Sequence, residues 1–392
     1  MPNALVLGAG MVGSVIAADL AAEAGWRVRV ADVNEATLAK ARDRAAGRIE
    51  TVRADLSKAE EIRRLAGGAD IVLGALASRL GFMALHAVIE AGKNYCDISF
   101  MPEDALSLSA FAKERGVTCV VDMGVAPGMS NMLAAELVTR LDPCTKIEIY
   151  VGGLPRERRW PFDYKAAFSP ADVIEEYTRP SRVVEHGRIV VKEALSEPEL
   201  MDLPGVGTVE AFNTDGLRSI VRTMRVPHMQ EKTLRYPGHI ALMKAFRETG
   251  LFSQEPVEVR SVDGAMVMVR PLDVTSKLLF PKWAYAPGEE DLTVMRVAAT
   301  GIARETGKPE RLTWDVLDLF DQATQSTSMA RTTAFPCTIM ARAIAAEKVS
   351  TRGVIAPEQL GGDAALVKHM LEQLASRGVR YNQARQPATI PE

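Results

Sequence analysis

A doubly wound parallel α/β sheet, followed by an α+β segment and a helical tail, is the fold class that three observations predict. Strands and helices alternate through the first 124 residues. A glycine-rich turn, Gly8-Ala9-Gly10-Met11-Val12-Gly13, stands between the first apolar run and the first helix-forming stretch. After Gly124 the alternation gives way to shorter β-like runs, and the tail returns to helical periodicity. At 392 residues the chain suits two or three domains rather than one. The expected divisions are 1–124, 125–325 and 326–392.

Ala4-Leu5-Val6-Leu7 reads as a short buried strand that runs into the glycine turn, and Ser14 to Ala24 as the helix after it. Gly8 permits the tight turn, Gly10 lets a pyrophosphate approach the main chain, and Gly13 lets helix and strand pack closely. The free N–H groups and positive end of the helix then face the phosphates. A second strand, Arg27 to Ala31, ends at Asp32, placed to accept hydrogen bonds from the adenosine ribose. Its charge would repel a 2′-phosphate, so NAD is expected over NADP.

A helix from Glu35 to Arg44 follows, then a strand from Arg48 to Val52 that ends near Asp55-Leu56. Ser57 is placed to cap a helix that includes Glu60 to Leu65. Ala69 to Leu76 is the fourth strand and Gly81 to Ala91 its helix. Lys93 to Ile98, Ala105 to Arg115 and Val117 to Asp122 complete six strands with five crossovers. That is the Rossmann pattern, in which ligands bind beyond the carboxyl ends of the strands. The candidate cofactor contacts are therefore Gly8, Gly10, Met11, Val12, Gly13, Asp32, Asp55, Ala77, Ser78 and Asp97, with Asp55 facing the adenine or capping the next helix.

Beyond Gly124, Pro127-Gly128 breaks the chain, Ser130 or Asn131 can cap a helix to about Leu141, and Lys146 to Gly152 returns as a strand. Short runs such as Arg182-Val183-Val184, Arg188 to Val191, Val257 to Arg260 and Met266 to Val269 suggest a mixed, largely antiparallel sheet with helices. Leu317 to Ser376 reads as helical, broken at Pro336 and at Gly353–Pro357.

Charge excludes some partners. The 47 basic and 50 acidic residues give a net charge of −3, with no dominant basic tract, so nucleic acid is not expected. Apolar runs stop short of a membrane-spanning length and no signal peptide is evident, so a soluble cytoplasmic protein is expected. Cys96, Cys119, Cys144 and Cys337 lie far apart without ligand spacing, and no metal site is expected.

The nucleotide fold says what binds, not what reacts. The later motifs narrow that: Gly124-Val125-Ala126-Pro127-Gly128-Met129-Ser130-Asn131, Val151-Gly152-Gly153-Leu154-Pro155, Tyr177-Thr178-Arg179-Pro180, Thr214-Asp215-Gly216-Leu217-Arg218 and Leu234-Arg235-Tyr236-Pro237-Gly238-His239. Together with the glycine turn they resemble the saccharopine dehydrogenase family over essentially the whole chain, and within it most closely the lysine 6-dehydrogenases. The resemblance implies a Rossmann domain, an inserted α+β catalytic domain, C-terminal helices that rejoin the first domain, and a homodimer. Saccharopine-forming members commonly carry Gly-Leu-Asp-Pro-Gly where this chain has Gly124-Val125-Ala126-Pro127-Gly128. The alanine at 126 counts against saccharopine and leaves an amino-acid substrate such as lysine favoured.

The implied reaction is NAD-dependent oxidative deamination at the ε-carbon of L-lysine. It requires a base near the nicotinamide, because an ammonium has no lone pair to push. Asp122, at the end of the sixth strand, and His239, after a Pro-Gly turn and with an ordinary pKa near neutrality, are the two candidates. It also requires a clamp on the α-carboxylate, for which Arg218, Arg235 and Arg179 qualify, since a guanidinium donates two parallel hydrogen bonds. Thr214, Asp215 and Tyr177 could assist. Arg179 lies close to Glu175 and Glu176 and could instead pair with them, and Tyr177 could be a packing aromatic. Two other functions stay open: a reductase joining an aldehyde to an amine, as in saccharopine or carboxynorspermidine formation, with Arg156, Arg158 and Arg159 as a second clamp, and a non-catalytic NAD-binding sensor.

Overall fold

The computed structural model describes residues 1–286 and 288–389. Its first sheet is parallel. The strands β1 (Asn3–Leu7), β2 (Arg27–Asp32), β3 (Glu50–Arg53), β4 (Ile71–Gly74), β5 (Asn94–Asp97) and β6 (Thr118–Val120) alternate with α1 (Met11–Ala22), α2 (Glu35–Arg44), α3 (Ala59–Ala66), α4 (Ser78–Glu90) and α5 (Ser109–Glu114). The order runs β6-β5-β4-β1-β2-β3, with the chain reversing direction about β1. Strands such as Leu5-Val6-Leu7 and Ile71-Val72-Leu73 are buried on both faces, as crossover helices on each side require.

The second sheet has nine strands. After α6 (Met129–Thr139) come β7 (Leu141–Pro155), α7 (Pro170–Thr178), β8 (Ser181–Glu185), β9 (Arg188–Lys192), β10 (Glu199–Leu203), β11 (Gly207–Asn213), α8 (Ile220–Thr223), β12 (His228–Arg235) and α9 (His239–Glu248). Next are β13 (Val257–Arg260), β14 (Met266–Val269), α10 (Pro271–Trp283), β15 (Asp291–Ala303) and β16 (Pro309–Leu319). The chain ends with α11 (Ser328–Ala345), β17 (Gly353–Ile355), α12 (Ala364–Ser376) and β18 (Tyr381–Pro387). The sheet order is β10-β11-β12-β7-β15-β16-β18, antiparallel except for β12 beside β7, with β8 and β9 attached to β12. β13 and β14 form a separate two-stranded sheet.

Several elements differ from the sequence reading. α6 starts at Met129 behind Gly128, while Ser130 and Asn131 lie buried inside it rather than capping it. Asn131 Nδ2 instead donates to Glu358 Oε2 (3.3 Å). Lys58, not Ser57, occupies the N-cap of α3. Leu317–Leu319 belongs to β16, not to a helix. The tail contributes strands as well as helices: β17 pairs with β6 as a seventh strand of the first sheet, and β18 pairs with β16 in the second. Between the sheets lies α11, nearly all of it buried, and one core joins Val6 and Val30 to Ile147 and Val297 through Ala334, Cys337 and Met340. No helix among the described residues is long and apolar enough to cross a membrane.

Candidate active site

The carboxyl ends of the first-sheet strands face the second sheet across a cavity of about 440 Å³. One wall comes from Gly10–Gly13, Ala75–Ser78 and Gly124–Pro127. The other comes from α7, the loop after β11, and β12, while Met329 and Thr333 of α11 close the side.

The first wall fits a dinucleotide. Gly8 has φ +99°, and a Cβ there would lie 2.4 Å from Ala75 O; a Cβ on Gly13 would lie 2.1 Å from Gly8 O. Both positions therefore demand glycine. Nothing lies within 4 Å of where a Cβ on Gly10 would point, which leaves room for a phosphate. Gly10 offers α1 no side-chain cap and the first turn holds no acid, so its N–H groups suit an anion. Met11, Val12, Gly13, Ala77 and Ser78 line the cavity. Asp32 ends β2 and anchors the turn, its carboxylate accepting from Ala9 N and Asn34 N, both at 2.8 Å.

Asp55 and Asp97, like Gly8 and Asp32, lie outside the lining of this cavity. Asp55 accepts from the hydroxyl and N–H of Ser57, which hold its carboxyl below the usual range. Asp97 is buried beneath the site, where loss of hydration and the nearby charge of Asp122 push its pKa up to about 8.

The second wall follows two periodicities. On β12, Glu231, Thr233 and Arg235 alternate with Lys232 and Leu234, so all three reach the cavity from one face. On α7, Asp172, Glu175 and Glu176 share another face, and Arg179 at its C-cap reaches the same cavity. Arg235 is buried; its Nη2 donates to Glu176 Oε2 (2.7 Å), its Nε to the Tyr177 hydroxyl (3.2 Å), and its guanidinium lies 4.5 Å from the Tyr164 ring centre. Arg179 pairs with Glu175, and Asp215 is held bidentately by Arg182 at 2.8 Å.

Glu231 was not singled out from the sequence. Only 3% of it is exposed. Its Oε2 accepts from the Thr214 hydroxyl and from Gly216 N (3.1 Å), while Oε1 has no hydrogen-bond partner among the described residues. Burial pushes its pKa up to about 8, against the opposing effect of the Thr214 hydrogen bond. The cavity-lining acids Asp172, Glu175, Glu176, Asp215 and Glu231 outnumber the lining cations Arg179 and Arg235, and both arginines are already paired. Glu175, Glu176 and Asp215 pair with Arg179, Arg235 and Arg182, which leaves Asp172 and Glu231 as lining acids without a cation among the described residues.

Two expectations for the chemistry are corrected. Asp122 and Arg218 form an ion pair (3.2 Å) off the cavity lining, with their side chains 8% and 7% exposed. Arg218 also donates to Met101 O and lies 4.2 Å from the centre of the Phe100 ring, and both residues hold φ at +54°. A buried carboxylate and guanidinium that satisfy each other leave neither free for substrate.

His239 stands behind Arg235, not at the cavity. Its Nδ1 donates to Phe162 O (2.9 Å), so Nε2 accepts from the Tyr177 hydroxyl (2.8 Å), which in turn accepts from Arg235. Tyr177 and His239 thus position Arg235. Burial and then the Arg235 charge push the His239 pKa down to about 3, far from the neutrality expected of a base. Its NMR ring resonances should not titrate between pH 5 and 8, and a midpoint near 6.5 would place the ring in solvent. Because the unfolded histidine takes up a proton first, its contribution to stability is present above about pH 6.5 and is lost as pH falls toward 3.

Cradle, parallel sheet and cavity define a protein with a nicotinamide-dinucleotide-binding domain facing a small-molecule pocket. The chain belongs to the saccharopine dehydrogenase family: the saccharopine dehydrogenase NADP binding domain matches residues 4–120, and the saccharopine dehydrogenase C-terminal domain matches 124–379. Alpha-aminoadipic semialdehyde synthase of Arabidopsis thaliana is 23% identical over 79% of this chain and 36% of its own length. The mitochondrial enzyme of that name from Rattus norvegicus is 23% identical over 85% and 42%. The chain thus spans about two fifths of these relatives. Saccharopine dehydrogenase [NADP(+), L-glutamate-forming] of Schizosaccharomyces pombe is 22% identical over 98% of this chain and 99% of its own. The solved structure of apo saccharopine dehydrogenase (L-Glu forming) from Saccharomyces cerevisiae superposes with a TM-score of 0.80 at 15% identity, covering 98% and 100% of the two chains. That likeness establishes the fold.

Proposed function

We propose that this protein is a nicotinamide-dinucleotide-dependent dehydrogenase that oxidises the amine-bearing carbon of a cationic amino acid, L-lysine at its ε-carbon. The observation that carries this reading is that two lining acids, Asp172 and Glu231, have no cation among the described residues, with Glu231 buried and free at one oxygen. A diamino acid brings two ammonium groups to such a site. Saccharopine brings extra carboxylates, and the arginines considered for them are occupied elsewhere: Arg156 by Glu290, Arg158 by Asp163, and Arg159 by Glu157 and Glu289.

A bound nicotinamide supplies the hydride acceptor. Glu231 Oε1 takes the proton from the ε-ammonium, which gives nitrogen the lone pair that hydride release from carbon requires. Thr214 and Gly216 hold the carboxylate through its other oxygen. Arg235 lines the cavity, and the guanidinium N–H groups not used by Glu176, Tyr177 and Leu234 O can donate to the α-carboxylate, while Asp172 offers the α-ammonium an anion. Water then adds to the iminium, ammonia leaves, and the semialdehyde cyclises with its own α-amine. Asp32 supports NAD over NADP, because its carboxylate at the end of β2 repels a 2′-phosphate.

Absorbance at 340 nm should rise when the protein is given L-lysine and NAD at alkaline pH, and much less with NADP. Turnover of saccharopine with lysine inert would move the substrate to saccharopine. Silence across lysine, ornithine, saccharopine and diamines with both dinucleotides would overturn the enzymatic reading and leave a binding protein.

A further inference from the structure

Two neighbouring strand ends carry opposite instructions about the dinucleotide. β2 closes on Asp32 and β3 on Arg53, and the two residues are direct partners in the parallel ladder. Partners in register share a face of the sheet, so Arg53 leaves it on the same side as Asp32, whose carboxylate reaches the glycine turn at Ala9 N. An acid at this place repels a 2′-phosphate, whereas an arginine nearby accommodates one. Asp32 alone therefore does not decide between NAD and NADP.

What decides is where the arginine is spent. Asp32 is fixed, since its two oxygens accept from Ala9 N and Asn34 N, both at 2.8 Å. Arg53 is turned aside: its Nη1 donates to Glu35 Oε1 (3.1 Å) at the first position of α2. Glu35 is not needed to start that helix. Asn34 caps it, its Oδ1 accepting from Ala36 N (2.9 Å). Nor does the pair add much stability, because its side chains are 67% and 73% exposed. Its consequence is electrostatic. Two acids and one arginine leave one uncompensated negative charge beside the ribose; without the charge of Glu35 the arginine would balance Asp32 and be free to turn.

We infer that Glu35 is a second determinant of dinucleotide choice. By holding the Arg53 guanidinium it withholds from a 2′-phosphate the one cation at these two strand ends, and it leaves Asp32 unopposed. This role rests on NAD being the dinucleotide of the first wall and is independent of the amine.

Titrations of the full chain with NADH and NADPH at low ionic strength, followed by nicotinamide fluorescence, test it. The proteins are wild type, Glu35→Gln, and Glu35→Gln combined with Arg53→Gln. Wild type should bind NADH the more tightly. Glu35→Gln should tighten NADPH at least about fivefold and leave NADH within about twofold, because the charge removed lies close to a phosphate that NADH lacks. The double variant has the wild-type net charge and no guanidinium, so NADPH should fall back to its wild-type affinity. Added salt should shrink the gain. Both positions are exposed and Asn34 caps the helix, so the far-ultraviolet circular dichroism spectra should stay unchanged and report intact folding. No gain for NADPH in Glu35→Gln, with wild type still preferring NADH, would overturn the role of Glu35 and leave the NAD reading standing. A gain that survives in the double variant would overturn the part played by Arg53. Wild type that binds NADPH as tightly as NADH would overturn the NAD reading and this role with it.

Discussion

Glu231→Gln lowers turnover of the amine substrate by about two to four orders of magnitude, the usual contribution of a positioned general base. Glutamine keeps the shape and can still accept from Thr214 and Gly216, but it cannot take a proton. Dinucleotide binding, followed by nicotinamide fluorescence, should be unchanged, since Glu231 sits on the opposite wall from the glycine turn. The pH profile adds a second readout. With its pKa pushed up to about 8, the wild-type carboxyl is protonated at neutral pH, and activity should climb through a break near 8 as the base form appears. The variant should lack that break.

Stability carries the same signature with a definite sign. A folded-state pKa raised above the unfolded value stabilises the protein at pH below the unfolded value of about 4.5, and that contribution is lost as pH rises through about 8. Wild type should therefore lose stability between about pH 5 and 9 relative to Glu231→Gln, and melting curves at the two ends would show the gap widen. A variant with wild-type turnover, or one that retains the break, removes Glu231 from the chemistry.

The other large effect is on folding rather than catalysis. Arg218→Ala should cost about 3–5 kcal/mol, because it leaves the Asp122 carboxylate buried without its partner. The variant also strips a donor from Met101 O. Removing both charges together, in Asp122→Asn with Arg218→Met, should recover most of the loss, since the penalty lies in the unpaired charge more than in the absent bond. Urea denaturation measures both. Arg218→Ala at wild-type stability with a sharply raised KM would return Arg218 to the role of substrate clamp.

The nucleotide half was legible because its signals are local. The spacing of three glycines, one acid and alternating apolar runs is set by chain geometry within short units, and the structure repeats it within a few residues. β17 was not legible. Gly353-Val354-Ile355 is too short to carry a period, and it is a strand because β6 lies beside it. β18, Tyr-Asn-Gln-Ala-Arg-Gln-Pro, is almost wholly exposed and polar, and is held by pairing with β16. Leu317–Leu319 shows the opposite failure, a short apolar end that suits a helix or a strand equally well.

The site divides in the same way. The alternation Glu231, Thr233, Arg235 and the stripe Asp172, Glu175, Glu176 were present as spacing, and either could have been read as a single face. Spacing does not say which face meets a cavity. Nor does it say which acid will find a cation: Asp122 and Arg218 lie far apart in the chain and meet in the fold, while Glu231 meets no cation among the described residues.

By itself the sequence determined a dinucleotide-binding parallel sheet and the family to which the chain belongs, because these depend on residues near one another along the chain. The tertiary structure decided the chemistry of the pocket. Burial and pairing tied up Asp122 and Arg218, kept His239 neutral behind Arg235, and left Glu231 dehydrated with one open oxygen. Hydration and partners set a side chain's charge, and both are properties of the folded surroundings.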